Sequence, residues 1–308
     1  MRIWVTGHLG MVGSALTKVL SAKSNILYLK TREELDLMKI NDIRSYLSEI
    51  KCDWIFVAAG KVGGILENSK NPLDFFYDNF MINNNILRVA CEKKIKKVMV
   101  LGSSCMYPIN TEQPYKENSL FNGKVEQTNE GYGLSKLMTV KLAEFYNIQH
   151  KCNFISVIPC ASYGPNDSFV DGKNHVIPAL IKKFFDAKVN NKPYVKVWGS
   201  GEALREFLFV DDLAEGLVFL MNNYNDQKPI NIGSGHEIKI KNLALEISNL
   251  IGFKGDLIFD SKKPEGVRRK YLDSSRLESM GWKAKTDIKT GLIRTIEHFK
   301  KMESKNNA

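Results

Sequence analysis

Residues 2 to 13 run Arg-Ile-Trp-Val-Thr into Gly7-His8-Leu9-Gly10-Met11-Val12-Gly13, an apolar stretch that enters a G-x-x-G-x-x-G turn. Beyond it Met11, Val12, Ala15, Leu16, Val19 and Leu20 recur at three- and four-residue spacing, the apolar face of a helix. A glycine triplet between a strand and a helix is informative where the same triplet alone is weak. Gly7 permits the tight turn, Gly10 lets backbone amides approach a pyrophosphate, and Gly13 lets the helix pack closely on the strand. The helix N-terminus then faces the anion. The chain is therefore expected to open with a dinucleotide-binding unit.

Further short apolar or β-branched runs follow at 26 to 30, 53 to 59, 97 to 102 and 154 to 158, with helical patterns between them. Alternation of this kind signals a parallel sheet covered by helices on both faces. The pattern loosens after Tyr163-Gly164-Pro165, where Gly, Pro, Asn and Asp crowd together before a helix from about His175 to Asp186. Strands are expected at 194 to 198, 206 to 210 and 229 to 232, and helices at about 211 to 223, 240 to 251 and 287 to 302. A polar tail, KMESKNNA, is expected to fray. The expected fold is α/β: a doubly wound parallel sheet (Rossmann) over residues 1–165, with a returning segment at about 206–235. Residues 166–308 form mainly a smaller, mixed α/β C-terminal substrate domain.

The 308 residues are 44% hydrophobic and 25% charged, values of a folded globular protein rather than a disordered one. No window holds 18 uninterrupted apolar residues, so no membrane anchor is expected. The start reaches Gly7 too soon for a signal peptide, and a cytoplasmic protein is expected. Cysteines 52, 91, 105, 152 and 160 form no C-x-x-C pair and no zinc-like group, so they read as reduced thiols with no metal. The net charge of +10 suits an anionic ligand, yet no aromatics interleave with the basic residues as a nucleic-acid platform requires. Solvated lysines account for it, and no nucleic-acid partner is expected.

Cofactor choice is read past the second strand. An acid there binds the ribose hydroxyls of NAD, whereas a basic group accepts the 2′-phosphate of NADP. Lys30, Thr31 and Arg32 occupy that place, so NADP(H) is expected. After the run KVMVLG comes Ser103-Ser104-Cys105-Met106-Tyr107-Pro108, at the carboxyl end of a parallel strand, where open α/β sheets place their ligands. Tyr132 and Lys136 follow four residues apart, on one face of a helix. A lysine cation beside a phenol favours the phenolate, which predicts that Lys136 lowers the pKa of Tyr132 and fits the phenol for proton exchange with a substrate oxygen.

The order of these segments resembles the short-chain dehydrogenase/reductase superfamily, in its extended, sugar-nucleotide-modifying branch. GHLGMVGSAL, AAGKVGGI, LGSSCMYP, NHVIPALI, WGSGEALREFLFVDD and RRKYLD together resemble the GDP-L-fucose synthase family across nearly the whole chain. That resemblance implies a homodimeric oxidoreductase that epimerises C3 and C5 of a GDP-4-keto-6-deoxyhexose and reduces C4 with NADPH, in surface-polysaccharide synthesis. Ser103 and Tyr132 would donate to the C4 oxygen, and Lys136 would hold the nicotinamide ribose. Cys105 and His175 match the family's base and acid. Cysteine beside a cation and a helix N-terminus is the kind of thiol that ionises, and Lys136 is the expected cation. Cofactor contacts are expected from Gly7, Gly10, Met11, Val12, Gly13, Lys30, Arg32, Ala58, Ala59, Lys136 and His175. Substrate contacts are expected from Lys183, Trp198, Arg205 and Lys270, with the two lysines and the arginine on the diphosphate.

Three departures narrow the expectation. Leu9 stands where the family carries Arg in the turn, which removes one contact to the 2′-phosphate. Lys183 replaces an arginine and loses its planar fork. Ala161 replaces an asparagine that reaches the sugar, which predicts a different substrate, such as a GDP-4-keto-6-deoxyheptose. Reduction of C4 alone, with epimerisation left to another protein, is the second enzyme reading. A dinucleotide-binding protein without catalysis is the third, and the intact Ser103, Tyr132 and Lys136 oppose it.

Overall fold

The structure is a computed structural model and describes residues 1–172, 174–263 and 266–306. Its first part runs β1 (Arg2–Thr6), α1 (Met11–Ser21), β2 (Ile26–Tyr28), α2 (Ile40–Glu49), β3 (Trp54–Val57), α3 (Ile65–Lys70), α4 (Pro72–Glu92), β4 (Lys97–Leu101), α5 (Glu130–His150) and β5 (Phe154–Pro159). Then come β6 (Ala161–Tyr163), α6 (Val176–Val189), β7 (Tyr194–Trp198), β8 (Leu204–Phe209), α7 (Val210–Asn223), β9 (Ile230–Ile232) and β10 (Glu237–Lys239). The chain ends with α8 (Ile240–Ile251), β11 (Asp256–Asp260), β12 (Arg269–Lys270), α9 (Ser275–Ser279) and α10 (Ile288–Asn306).

Six strands form one parallel sheet in the order β2-β1-β3-β4-β5-β9. Ile3, Val5, Val98, Met99, Val100 and Ile155 are buried, as strands covered on both faces must be. On one face α1 and α7 bury Leu16, Leu20, Leu213 and Leu217; on the other α2, α4 and α5 bury Leu47, Ile86, Leu87 and Ala143. Strand order reverses between β1 and β3, so their carboxyl ends splay apart and leave a crevice.

A second sheet joins β10, β8 and β12, with β6 pairing β8 in parallel, and β11 pairs β7 separately. Its apolar core holds Ile181, Phe184, Phe209, Leu243, Ile247, Leu292 and Phe299. The segment expected to return to the first sheet from about 206 starts one element later. β8 belongs to the second sheet, and the return is made by α7 and β9. β2 closes at Tyr28, two residues before the expected end, because the chain turns there toward Glu34, which accepts from the Thr31 amide at 2.8 Å. Most of the tail expected to fray is helical, since α10 continues to Asn306; Asn307 and Ala308 lie outside the described residues.

Candidate active site

The glycine turn folds because two of its residues cannot carry a Cβ. Gly7 adopts φ +65°, and a Cβ at Gly13 would lie 2.1 Å from the Gly7 carbonyl oxygen. Gly10 differs: its Cβ would meet only that oxygen, at 3.4 Å, so the chain itself tolerates a side chain there. Gly10 caps α1 without a side-chain acceptor, so backbone N–H groups open the helix at the crevice. That donor set and the helix dipole fit a pyrophosphate, with Met11, Val12 and Gly13 forming the first turn behind it. The floor is closed from β3, where the Ala59 amide donates to Thr6 Oγ1 at 3.2 Å. Ala58 and Ala59 thus lie directly under the turn, within 3.0 Å of a Cβ placed on Gly7.

The two basic residues past β2 behave differently. Lys30 Nζ is tied to Glu34 at 3.2 Å, whereas Arg32 is exposed and makes no ion pair among the described residues. Leu9 stands out of the turn, 70% exposed.

β4 delivers Ser103 two residues after its last strand residue, Leu101. Ser103 Oγ caps a single 3-10 turn over Ser104–Met106 by accepting from the Cys105 amide at 3.2 Å. α5 presents Tyr132 and Lys136 to the same place, with the Ser103 hydroxyl near enough to the Tyr132 phenol to lower its pKa. Cys105 lies close enough for its charge to act on that phenol. Helix and loop approach this closely because residue 133 is glycine: a Cβ there would stand 2.7 Å from the Cys105 carbonyl oxygen. Lys136 is buried, with Nζ 5.7 Å from the centroid of the Tyr132 ring. On its other side Nζ would lie 3.8 Å from a Cβ on Gly60.

The expected effect of Lys136 on Tyr132 is corrected here. Burial pushes the Tyr132 phenol well above its ordinary value, the charge of Cys105 adds to that, and only the Ser103 hydroxyl opposes them. Burial also lowers Lys136 to about 8, so desolvation acts on both members of the pair.

From the second part of the chain, His175 caps α6, its carbonyl accepting from the Ala179 amide at 3.0 Å. The loop before it rests on Gly64, where a Cβ would meet the Asn174 carbonyl oxygen at 2.9 Å. His175 keeps an exposed surface, yet surrounding protein desolvates the imidazole enough to lower its pKa. Lys183 Nζ sits 5.1 Å from the Trp198 ring centroid, with Lys263 Nζ at 5.7 Å from the same ring. Arg205 and Lys270 are register partners on the parallel strands β8 and β12, so both project from one face of the second sheet. Tyr115 lies in the field of both Arg205 and Cys105, which joins this face to the Ser103 loop. Ala161, at the start of β6, is exposed.

The sequence pattern of the NAD dependent epimerase/dehydratase family matches residues 3–233. A GDP-L-fucose synthase of Sinorhizobium fredii (strain NBRC 101917 / NGR234) is 42% identical over 97% of this chain and 95% of its own. Among solved structures, a GDP-6-OMe-4-keto-L-xylo-heptose reductase from C. jejuni superposes with TM-score 0.93 at 33% identity, covering 98% of each chain. A GDP-mannoheptose C4 reductase from Campylobacter jejuni with NADP bound gives TM-score 0.87 at 33% identity, over 97% of this chain and 98% of that one. The chain belongs to the NAD dependent epimerase/dehydratase family, in its GDP-L-fucose synthase branch.

Within this family site, the structure brings together Ser103, Cys105, Tyr132 and Lys136 at the end of β4, and Arg205 and Lys270 on the facing sheet. It differs from expectation at the sulfur. The cation in contact with Cys105 Sγ is Lys270, whose Nζ stands 3.6 Å away, and not the expected Lys136. Sequence reasoning also passed over Asn79. Its side chain accepts from the Lys61 amide at 2.9 Å and donates to the Lys61 carbonyl at 2.9 Å, fixing the loop that lies against Lys136. An asparagine at an apolar position of a long helix was the available signal. Gln113 was missed as well, and its partners are 156 and 158 residues away, beyond any local pattern.

Proposed function

We propose that this protein is an NADPH-dependent C4 reductase of a GDP-4-keto-6-deoxy sugar that also epimerises C3 and C5 in the same pocket. The observation that carries the reading is the meeting of Ser103, Tyr132 and Cys105 at the carboxyl end of β4, with Lys136 behind them. When bound, NADPH supplies the hydride for C4. Tyr132 holds the proton that goes to the C4 oxygen, and the Ser103 hydroxyl donates a hydrogen bond to the same oxygen. Both groups also stabilise the negative charge that collects on this oxygen when a neighbouring carbon loses its proton. In this reading Cys105 takes that proton, and His175, at the start of α6, returns one from the other face. Gly7 to Gly13 and Arg32 hold the dinucleotide, and Arg205 grips the diphosphate.

A second reading keeps C4 reduction and changes the sugar. Ala161 is exposed and carries only a methyl group where the family resemblance implies an asparagine, which leaves room for a seventh carbon, and two of the structural neighbours are reductases named for heptoses. Incubation of each keto sugar in heavy water without NADPH, followed by NADPH oxidation across a hexose and heptose panel with NMR of the products, separates the readings. Label at C3 and C5 with turnover of the hexose supports the fucose-type enzyme. Turnover without label removes the epimerase half, and turnover of neither sugar refutes both.

The partner and location follow from the same reading. Leu73 and Tyr77 of α4 and Phe145 and Ile148 of α5 are exposed on two helices that pack together, and we assign that face to a homodimer. Light scattering on the purified protein tests it, and a monomer at micromolar concentration sinks it. No helix among the described residues is long and apolar enough to cross a membrane. The free cysteines and the use of NADPH support a cytoplasmic location.

A further inference from the structure

Lys270 is one of three basic residues expected on the diphosphate. Its surroundings assign it elsewhere. The ammonium Nζ donates to Cys105 Sγ at 3.6 Å, a normal length for a hydrogen bond to sulfur. The backbone that carries it is fixed from two sides. On one side β12 pairs with β8, with Lys270 opposite Arg205. On the other, Gln113 brackets it: Nε2 donates to the Arg269 carbonyl at 3.2 Å, and Oε1 accepts from the Tyr271 amide at 3.0 Å. The residues before and after Lys270 are thus held by one side chain. Tyr115, two residues further on, accepts nothing from Lys270 but adds the bond from its own amide to the Tyr271 carbonyl at 2.8 Å. Hydrogen bonds at both neighbours fix the Cα–Cβ direction of Lys270, and the contact of Nζ with sulfur ends the side chain at Cys105.

We infer that Lys270 is a positioning residue for the sulfur of Cys105, its backbone held by Gln113, and that the diphosphate is left to Arg205 and Lys183. The inference rests on reading Cys105 as the base of the epimerisation. In that step the Cys105 thiolate takes the proton from a carbon next to the C4 ketone, and the electron pair moves onto the C4 oxygen. Lys270 keeps its proton throughout. It holds the thiolate by charge and hydrogen bond before the step and releases it as the thiol forms. The charge of Lys270 acts on the carboxylate of Glu126, which also accepts from Thr128 and Asn129.

The test reads the sulfur directly in the free enzyme. Wild type, Lys270→Met, Lys270→Arg and Gln113→Leu are treated with iodoacetamide at neutral pH, and the labelling rate at Cys105 is followed by peptide mass spectrometry. The expected result is a fall of about tenfold in Lys270→Met, a smaller fall in Gln113→Leu and near-complete retention in Lys270→Arg. GDP affinity, measured on the same proteins by calorimetry, stays within about twofold of wild type. A GDP affinity that collapses in Lys270→Met while the Cys105 labelling rate is unchanged overturns the inference and returns Lys270 to the diphosphate. Equal labelling in all four proteins overturns it too. Loss of solvent exchange at C3 and C5 in wild type would instead remove the epimerase reading, and the labelling comparison would still decide whether Lys270 serves the sulfur.

Discussion

A Cβ on Gly133 would stand 2.7 Å from the carbonyl oxygen of Cys105, so the helix that carries Tyr132 touches the loop that carries Cys105 through a bare Cα. Backbone oxygen does not rotate away as a side chain can. Gly133→Ala must therefore push α5 off the Ser103 loop. Expected are a loss of stability of about 1–3 kcal/mol and a fall in kcat larger than the fall in NADPH affinity. Thermal melting and steady-state kinetics check this; an alanine variant with full kcat would show that the contact relaxes without moving Tyr132.

Tyr132→Phe removes the proton donor and keeps the ring. C4 reduction should drop by about 10²–10⁴-fold while NADPH still binds, as read by fluorescence titration. Retained turnover would take the acid role from Tyr132.

Lys136 gives the pH dependence. Its pKa is lowered to about 8 by burial, so its charge is lost as pH rises through that value, while the Tyr132 phenol, raised by burial, stays protonated. The kcat/KM for NADPH, which reports the free enzyme, should fall above about pH 8. Lys136→Arg, slower but permanently charged, should lose that alkaline limb; a limb of unchanged position assigns it to another group.

Glu206 governs stability rather than turnover. It is 1% exposed and accepts from the Gly235 amide at 2.9 Å and the Leu272 amide at 3.0 Å. Burial raises its pKa from 4.5 to about 7. A carboxyl that binds its proton more tightly when folded stabilises the fold below about pH 4.5, and that contribution is lost as pH rises through 7. The change across this window is about 1–3 kcal/mol. Urea denaturation at pH 5 and pH 8 should show a smaller pH effect in Glu206→Gln than in wild type, and equal slopes would show that Glu206 does not titrate there.

Arg32 and Lys30 separate at the 2′-phosphate. Because Lys30 is engaged with Glu34, Arg32→Ala should cost about 10–100-fold in kcat/KM for NADPH and little for NADH, with Lys30→Ala nearly silent. Leu9→Arg should raise preference for NADPH. The reverse order of the two alanine variants would give the phosphate to Lys30.

The first sheet was legible because its strands are buried on both faces and so appear as unbroken apolar runs, as in KVMVLG and FISVI. The turn was legible because Gly7 and Gly13 answer a steric demand inside twelve residues. α4 was harder: Asn79, Asn83 and Asn85 are buried on it, and each makes a backbone bond that a hydropathy pattern counts as a solvent-facing residue. β12 is two residues long and is held by β8, by Gln113 and by the ion pair of Arg269 with Glu237. The contact of Lys270 with Cys105 spans 165 positions and arises wholly from that tertiary pairing. Motif order could single out Ser103, Tyr132 and Lys136, which the fold brings together, but not which cation would meet the sulfur.

The chain leaves the first sheet between β5 and β6, returns with α7 and β9, and leaves again for β10. The nucleotide-binding half therefore has no single severing point. A fragment of residues 1–165 would end its sheet on β5 with the backbone that pairs Ile230–Ile232 laid bare, and Leu16 and Leu20 stripped of their cover from Leu213 and Leu217. Such an edge invites pairing with other chains. Two halves that look separable on paper are sewn through each other, and a cut after residue 165 exposes a strand edge and apolar surface that the whole chain covers.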